Sequence, residues 1–128
     1  MIHTEPVIGE LSREEYERLD TYRREHLDDP LGSVADEVLI EDDNVRIWQL
    51  TLEPGQSSAL HRRDHDYYLC IMSGDRIVGM ELPGSEADMY VCEIPPQGNT
   101  VFVPAGTTEW AVNVGTQPYR EILIELKR

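Results

Sequence analysis

At 128 residues the chain fits one domain, long enough to bury a core without disulfide or metal staples. Its net charge is −14 and unevenly spread: residues 1–44 hold 14 acidic and 4 basic side chains (−10), residues 45–128 hold 11 and 7 (−4). Such a balance repels phosphate backbones and anionic lipid, which speaks against nucleic-acid and membrane partners, and no apolar run approaches the roughly 18 residues of a membrane span. The opening Met1-Ile2-His3-Thr4-Glu5-Pro6 lacks the basic start and apolar stretch of a secretory signal, so a cytoplasmic location is expected.

Residues 1–44 read as an acidic arm and one helix belonging to the same domain as a β-rich unit over 45–128. Ser12 with Glu15 three residues on makes a capping box, and Tyr16, Leu19, Tyr22 and His26 or Leu27 recur at helical spacing, which predicts a helix over 12–27. Asp28-Asp29-Pro30 stops it, because proline pushes its predecessor out of helical geometry. A stripe of this kind covers a barrel or a dimer seam more readily than it binds a cofactor.

From Val38 the period switches to two. Strands are predicted over Val38–Ile40, Val45–Leu52, Tyr67–Met72, Arg76–Leu82, Met89–Ile94, Val101–Val103, Trp110–Val114 and Tyr119–Leu126, separated by turn signals such as Glu53-Pro54-Gly55, Ser73-Gly74-Asp75 and Pro104-Ala105-Gly106. Short strands at this regular spacing argue for an all-β sandwich or barrel. Cys70 and Cys92 fall inside strand patterns without metal or redox spacing, so two free thiols are expected.

Two stretches carry the chemistry: Gly55 through His61-Arg62-Arg63-Asp64-His65-Asp66-Tyr67 to Gly74, and Gly98 through Pro104-Ala105-Gly106 and Glu109 to Asn113. Their glycines, proline, asparagine and first histidine fall in the order and spacing of the two cupin motifs, which these stretches resemble. The resemblance implies a double-stranded β-helix, the jelly-roll barrel of the cupins, with a pocket between its sheets, and the helix before it is similar to that of small bacterial members, often homodimers. In the family the positions of His61, Arg63, Tyr67 and Glu109 hold a divalent metal. Here three of the four differ from the usual histidine, histidine, glutamate and histidine.

Strand periodicity puts residues 61 and 63 on one face, and the motif frame brings 67 and 109 to them. Arginine is the telling change, since a guanidinium offers donors but no lone pair, repels a divalent ion and suits a carboxylate or phosphate. Three readings follow. In the first, no metal or other cofactor is used: Arg63 anchors a small carboxylate-bearing metabolite, His61, Glu109 and Tyr67 move protons, Trp110 walls the pocket, and the reaction is that of a lyase, isomerase or decarboxylase. In the second, His61, His65 and Glu109 hold iron, zinc, manganese or nickel in a dioxygenase or lyase. In the third, the barrel only binds a small molecule or serves as an accessory protein, and its polar groups satisfy one another.

Overall fold

The computed structural model describes residues 7–85, 88–96 and 99–127. Gly98 of the second motif and His3 lie outside them. Ser12 caps α1 (Arg13–Glu25): its hydroxyl accepts from the Glu15 amide at 3.1 Å, and Glu15 Oε1 accepts from the Ser12 amide at 2.9 Å. The helix closes two residues before Leu27, because His26 already leaves helical geometry while its amide bonds back to the Tyr22 and Arg23 carbonyls. Leu27 is therefore exposed and not part of the stripe.

Ten strands follow the period-two segments: β1 (Val7–Ile8), β2 (Glu37–Glu41), β3 (Val45–Leu52), β4 (His61–Arg62), β5 (Tyr67–Ser73), β6 (Arg76–Glu81), β7 (Met89–Glu93), β8 (Asn99–Val103), β9 (Thr108–Asn113) and β10 (Tyr119–Leu126). Only β1 and β4 escape the sequence pattern, since two residues cannot establish a period. The strands form two five-stranded antiparallel sheets, ordered β1-β7-β6-β9-β4 and β2-β3-β10-β5-β8. The segment before residue 45 thus supplies an edge strand to each sheet.

Alternation along the strands sorts the apolar residues into two layers. Leu50, Leu52, Leu69, Ile71, Ile77 and Leu123 meet between the sheets, whereas Val78, Met80, Val91, Trp110 and Val112 meet Leu19 of α1 on the outer face of the first sheet. Neighbours Ile77 and Val78 show the division: one points into the barrel, the next under the helix. Arg23 of α1 is buried; it pairs with Asp20 at 2.7 Å and donates to the Glu81 carbonyl at 3.2 Å, tying α1 to β6. Both cysteines are free, with Cys92 buried and Cys70 half-buried. Among the described residues no helix is long and apolar enough to cross a membrane.

Candidate functional site

A cavity of about 310 Å³ opens between the sheets, walled by apolar side chains such as Leu69, Ile71, Val101 and Val103. Its polar end holds Arg63, Tyr90, Thr107, Glu109 and Glu121. Arg63 follows β4 directly and is fixed by the turn after Pro104: its amide donates to the Thr107 carbonyl and its carbonyl accepts from the Gly106 amide, each at 2.8 Å. Gly106 can make that turn because its φ is +112°, in the region side-chain-bearing residues avoid. Glu109 arrives from β9, opposite His61 of β4 in register.

Arg63 Nε donates to Glu109 Oε1 at 2.9 Å, and the Tyr90 hydroxyl donates to Glu109 Oε2 at 3.3 Å. One carboxylate therefore receives a donor on each oxygen. Arg63 and Glu109 are 4 % and 2 % exposed, so the pair is a buried one. Burial pulls the Arg63 pKa down, but the charges of Glu109 and Glu121 more than restore it and the guanidinium keeps its proton. Its Nη1 has no hydrogen-bond partner, and neither has Thr107 Oγ1. Two buried polar atoms at the cavity's polar end thus lack partners, a cost that a bound oxygen-bearing ligand would remove.

His61 stands beside Glu109, with Nε2 3.9 Å from Oε1 and Nδ1 2.9 Å from the Ala59 carbonyl. Burial, then the charge of Arg63, lowers its pKa. A neutral ring that donates through Nδ1 to a carbonyl leaves a bare lone pair on Nε2, which has no partner. Tyr90 is pushed up by burial and by Glu109, so it remains a neutral O–H donor. Glu121 is also pushed up by burial; Tyr119 donates to its Oε1.

Several expected positions are corrected. Trp110 does not wall the pocket: it follows Glu109 on a strand whose side chains alternate, so it points to the opposite face and packs in the layer under α1, edge-on to Tyr22. Tyr67 does not reach Glu109, because its ring lies against the Arg63 guanidinium, 5.1 Å from centroid to Cζ, and its hydroxyl lies by Glu125. The tyrosine at Glu109 is Tyr90. Neither His61 nor Tyr67 belongs to the cavity wall among the described residues.

His65 also departs from the metal reading. Its Nδ1 sits 2.6 Å from Glu125 Oε2, and Glu125 accepts from Trp48 Nε1 at 2.8 Å, so the ring is turned to β10 and away from His61. Among the described residues no three His, Cys, Asp or Glu side chains converge on one point. With Arg63 bonded to the carboxylate that would be a ligand, His61, His65 and Glu109 do not fit a divalent metal.

Tyr90 and Glu121 are the members that motif reading misses, since both lie outside the two stretches. Gly79 is the signal for the first: it pairs with Tyr90, and a Cβ there would stand 2.4 Å from Tyr90 Cζ. A glycine inside a strand marks such a close approach. The second is visible in the inward frame of β10, where Tyr119, Glu121, Leu123 and Glu125 are buried on alternate positions.

Two antiparallel sheets closed on a central cavity, with the two glycine-bounded stretches supplying Arg63, Thr107 and Glu109 of its polar end, make this a cupin-fold protein, a double-stranded β-helix preceded by a helix. A cupin domain from Bordetella pertussis Tohama I is similar over 76 % of this chain and 100 % of its own, at 18 % identity and a TM-score of 0.62. An RmlC-like cupin family protein from Methanocaldococcus jannaschii matches 77 % of this chain and 84 % of its own, with 18 % identity and a TM-score of 0.59. A cupin superfamily protein from Desulfitobacterium hafniense DCB-2 spans 98 % of this chain and 99 % of its own at 14 % identity and a TM-score of 0.53. No family model matches the sequence, and no curated protein does.

Proposed function

We propose that the barrel binds a small metabolite bearing a carboxylate or carbonyl and moves a proton on it without a metal, as an isomerase, lyase or decarboxylase does. The observation that supports this reading is the placement of the Glu109 carboxylate between Arg63 and Tyr90 at the polar end of an apolar cavity. Glu109 is the base: it takes a proton from the carbon next to the carbonyl, the C–H electron pair forms a C=C bond to the carbonyl carbon, and the C=O π pair moves onto the oxygen. The oxygen that gains charge is met by Arg63 Nη1, a buried donor without a partner already in place in a water-poor site, while the Tyr90 hydroxyl stays on Glu109. Returning the proton to a different carbon gives isomerisation, and loss of a group from the next carbon gives elimination. His61 touches Glu109's surroundings and not the cavity, so it is a positioning residue.

Small 2-oxo and 3-hydroxy acids incubated with the protein in D₂O test the reading by NMR. Exchange of a carbon-bound proton is expected with wild type and is lost in Glu109→Gln, which still binds the acid, while Arg63→Lys loses binding because it has no Nη1. Exchange undiminished in Glu109→Gln would overturn the assignment of the base. Acids that bind with no exchange in any variant leave the cavity a binding site only and overturn the catalytic reading.

A further inference from the structure

Two carboxyl groups enter the cavity from opposite sheets, Glu109 from β9 of the first and Glu121 from β10 of the second. Alternation along β10 turns Tyr119, Glu121 and Leu123 inward, and register sets Glu121 beside Ile71 of β5, an apolar wall residue. The two acids are held differently. Glu109 receives Arg63 and Tyr90, whereas the one hydrogen bond of Glu121 among the described residues is to a neutral group, the Tyr119 hydroxyl. Glu121 is also 4 % exposed. A carboxylate buried with a single neutral donor sheds its charge by keeping its proton. Burial raises its pKa, and the Tyr119 hydrogen bond and the Arg63 charge, which pull the other way, do not cancel the effect.

Tyr119 decides which oxygen carries that proton. Its buried hydroxyl has no acceptor but Glu121 Oε1 among the described residues, so it donates there, and two hydrogens cannot share one line between the same oxygens. The Glu121 proton is therefore on Oε2, the oxygen that Tyr119 leaves free. Arg63 and Glu109 cancel each other's charge at the polar end. An ionised Glu121 would make that end negative and turn an acid away; a neutral one leaves it uncharged with two donors in want of acceptors, Arg63 Nη1 and the Glu121 hydroxyl. The remaining wall is aliphatic, so a sugar would leave its hydroxyls against Leu69, Ile71 and Val101, while an apolar side chain is at home there.

Resting on the reading of this cavity as the site of a small acid, we propose that Glu121 is a ligand-binding residue, which donates a hydrogen bond to the carboxylate of an apolar 2-oxo acid whose keto oxygen lies on Arg63 Nη1. The two neighbouring oxygens of such an acid meet one donor from each sheet. Its side chain lies on the aliphatic wall. Glu121 thereby selects the carboxylate, and Arg63 the carbonyl beside it.

Calorimetric titration of the full-length chain at pH 7 tests this with two probes of one skeleton, the 2-oxo acid with an isobutyl side chain and the methyl ketone in which CH₃ replaces its carboxylate. Wild type is expected to bind the acid about tenfold or more tighter than the ketone, the worth of a hydrogen bond to a charged group. Glu121→Gln, whose amide N–H still donates, keeps that preference. Glu121→Met, of similar size and without a donor, loses it and binds the ketone as wild type does. Infrared difference spectra decide the matter if Glu121→Met fails to fold: wild type is expected to show an un-ionised carboxyl band, absent from Glu121→Gln, that moves to lower frequency when the acid is added. A preference undiminished in Glu121→Met, or a carboxyl band that is missing or unmoved by the acid, would overturn the proposal and leave the cavity an acid site. Neither probe binding to wild type would overturn that reading of the cavity and this proposal with it. Acid that binds through Glu121 without exchange of a carbon-bound proton supports the proposal and overturns the catalytic reading alone.

Discussion

Arg63 and Glu109 are joined by a 2.9 Å hydrogen bond between two nearly inaccessible side chains, 46 residues apart in sequence and brought side by side by the pairing of β4 with β9. Removing one partner leaves the other charge buried without compensation, which typically costs about 3–5 kcal/mol. Arg63→Met is therefore expected to lose about that much stability, and Arg63→Met with Glu109→Leu is expected to recover most of it, because neither charge is then left alone. Urea denaturation of the two single variants and the double variant measures the coupling. Costs that simply add would show the pair is not energetically linked.

Tyr67 is buried and Tyr90 partly buried, both near Arg63, yet only Tyr90 bonds to Glu109. Tyr90→Phe is expected to cost about 1 kcal/mol in stability and to weaken binding of any ligand that uses the polar end of the cavity. Tyr67→Phe should alter stability and leave ligand affinity unchanged. Gly79→Ala places a methyl against the Tyr90 ring and is expected to reproduce the Tyr90→Phe binding loss with an overpacking cost of about 1–3 kcal/mol. Calorimetric titration with one acid across the three variants separates these outcomes.

Much of this fold was legible because its signals are local. Val45–Leu52 and Tyr119–Leu126 are short apolar-rich runs bounded by turn residues, and both strands form with those limits. The meeting of His61, Arg63 and Glu109 was also readable, since the motif frame carries long-range information. What strand periodicity does not specify is which of two tyrosines reaches a given carboxylate: Tyr67 sits in the motif and Tyr90 does not, and the choice is made by Gly79 across the sheet. Trp110 misled for a different reason. Adjacency to Glu109 along a strand places a side chain on the other face, so nearness in sequence is separation in space.

Glu15 serves two partners at once. Its Oε1 closes the cap of α1 and its Oε2 accepts from Arg76 of β6 at 2.9 Å, and these contacts, Arg76 first, hold its pKa down at about 2. A depressed carboxylate contributes stability that is present above its unfolded pKa and lost as pH falls through the folded one. Glu15→Gln, which keeps an oxygen for the cap but no charge for Arg76, is expected to cost about 1 kcal/mol at pH 7. The difference from wild type should shrink as pH drops from about 4.5 toward 2. A difference that stays constant over that range would assign the loss to the cap and not to the ion pair.

His61 supplies a pH dependence of the same sense at a higher window. Burial, then Arg63, lowers its folded pKa below the unfolded value of about 6.5, so below that pH the unfolded chain binds a proton that the folded chain refuses. Stability from this residue is complete above pH 6.5 and is lost as pH falls toward the folded pKa, at no more than about 1.4 kcal/mol per pH unit. His61→Asn keeps a donor for the Ala59 carbonyl and cannot titrate. Denaturation curves between pH 7.5 and 5 should therefore show a steeper loss for wild type than for His61→Asn. Parallel curves would mean that the folded state accepts the proton, placing a cation 3.9 Å from Glu109 and making His61 its ion-pair partner, in place of the neutral neighbour that leaves the carboxylate to Arg63 and Tyr90.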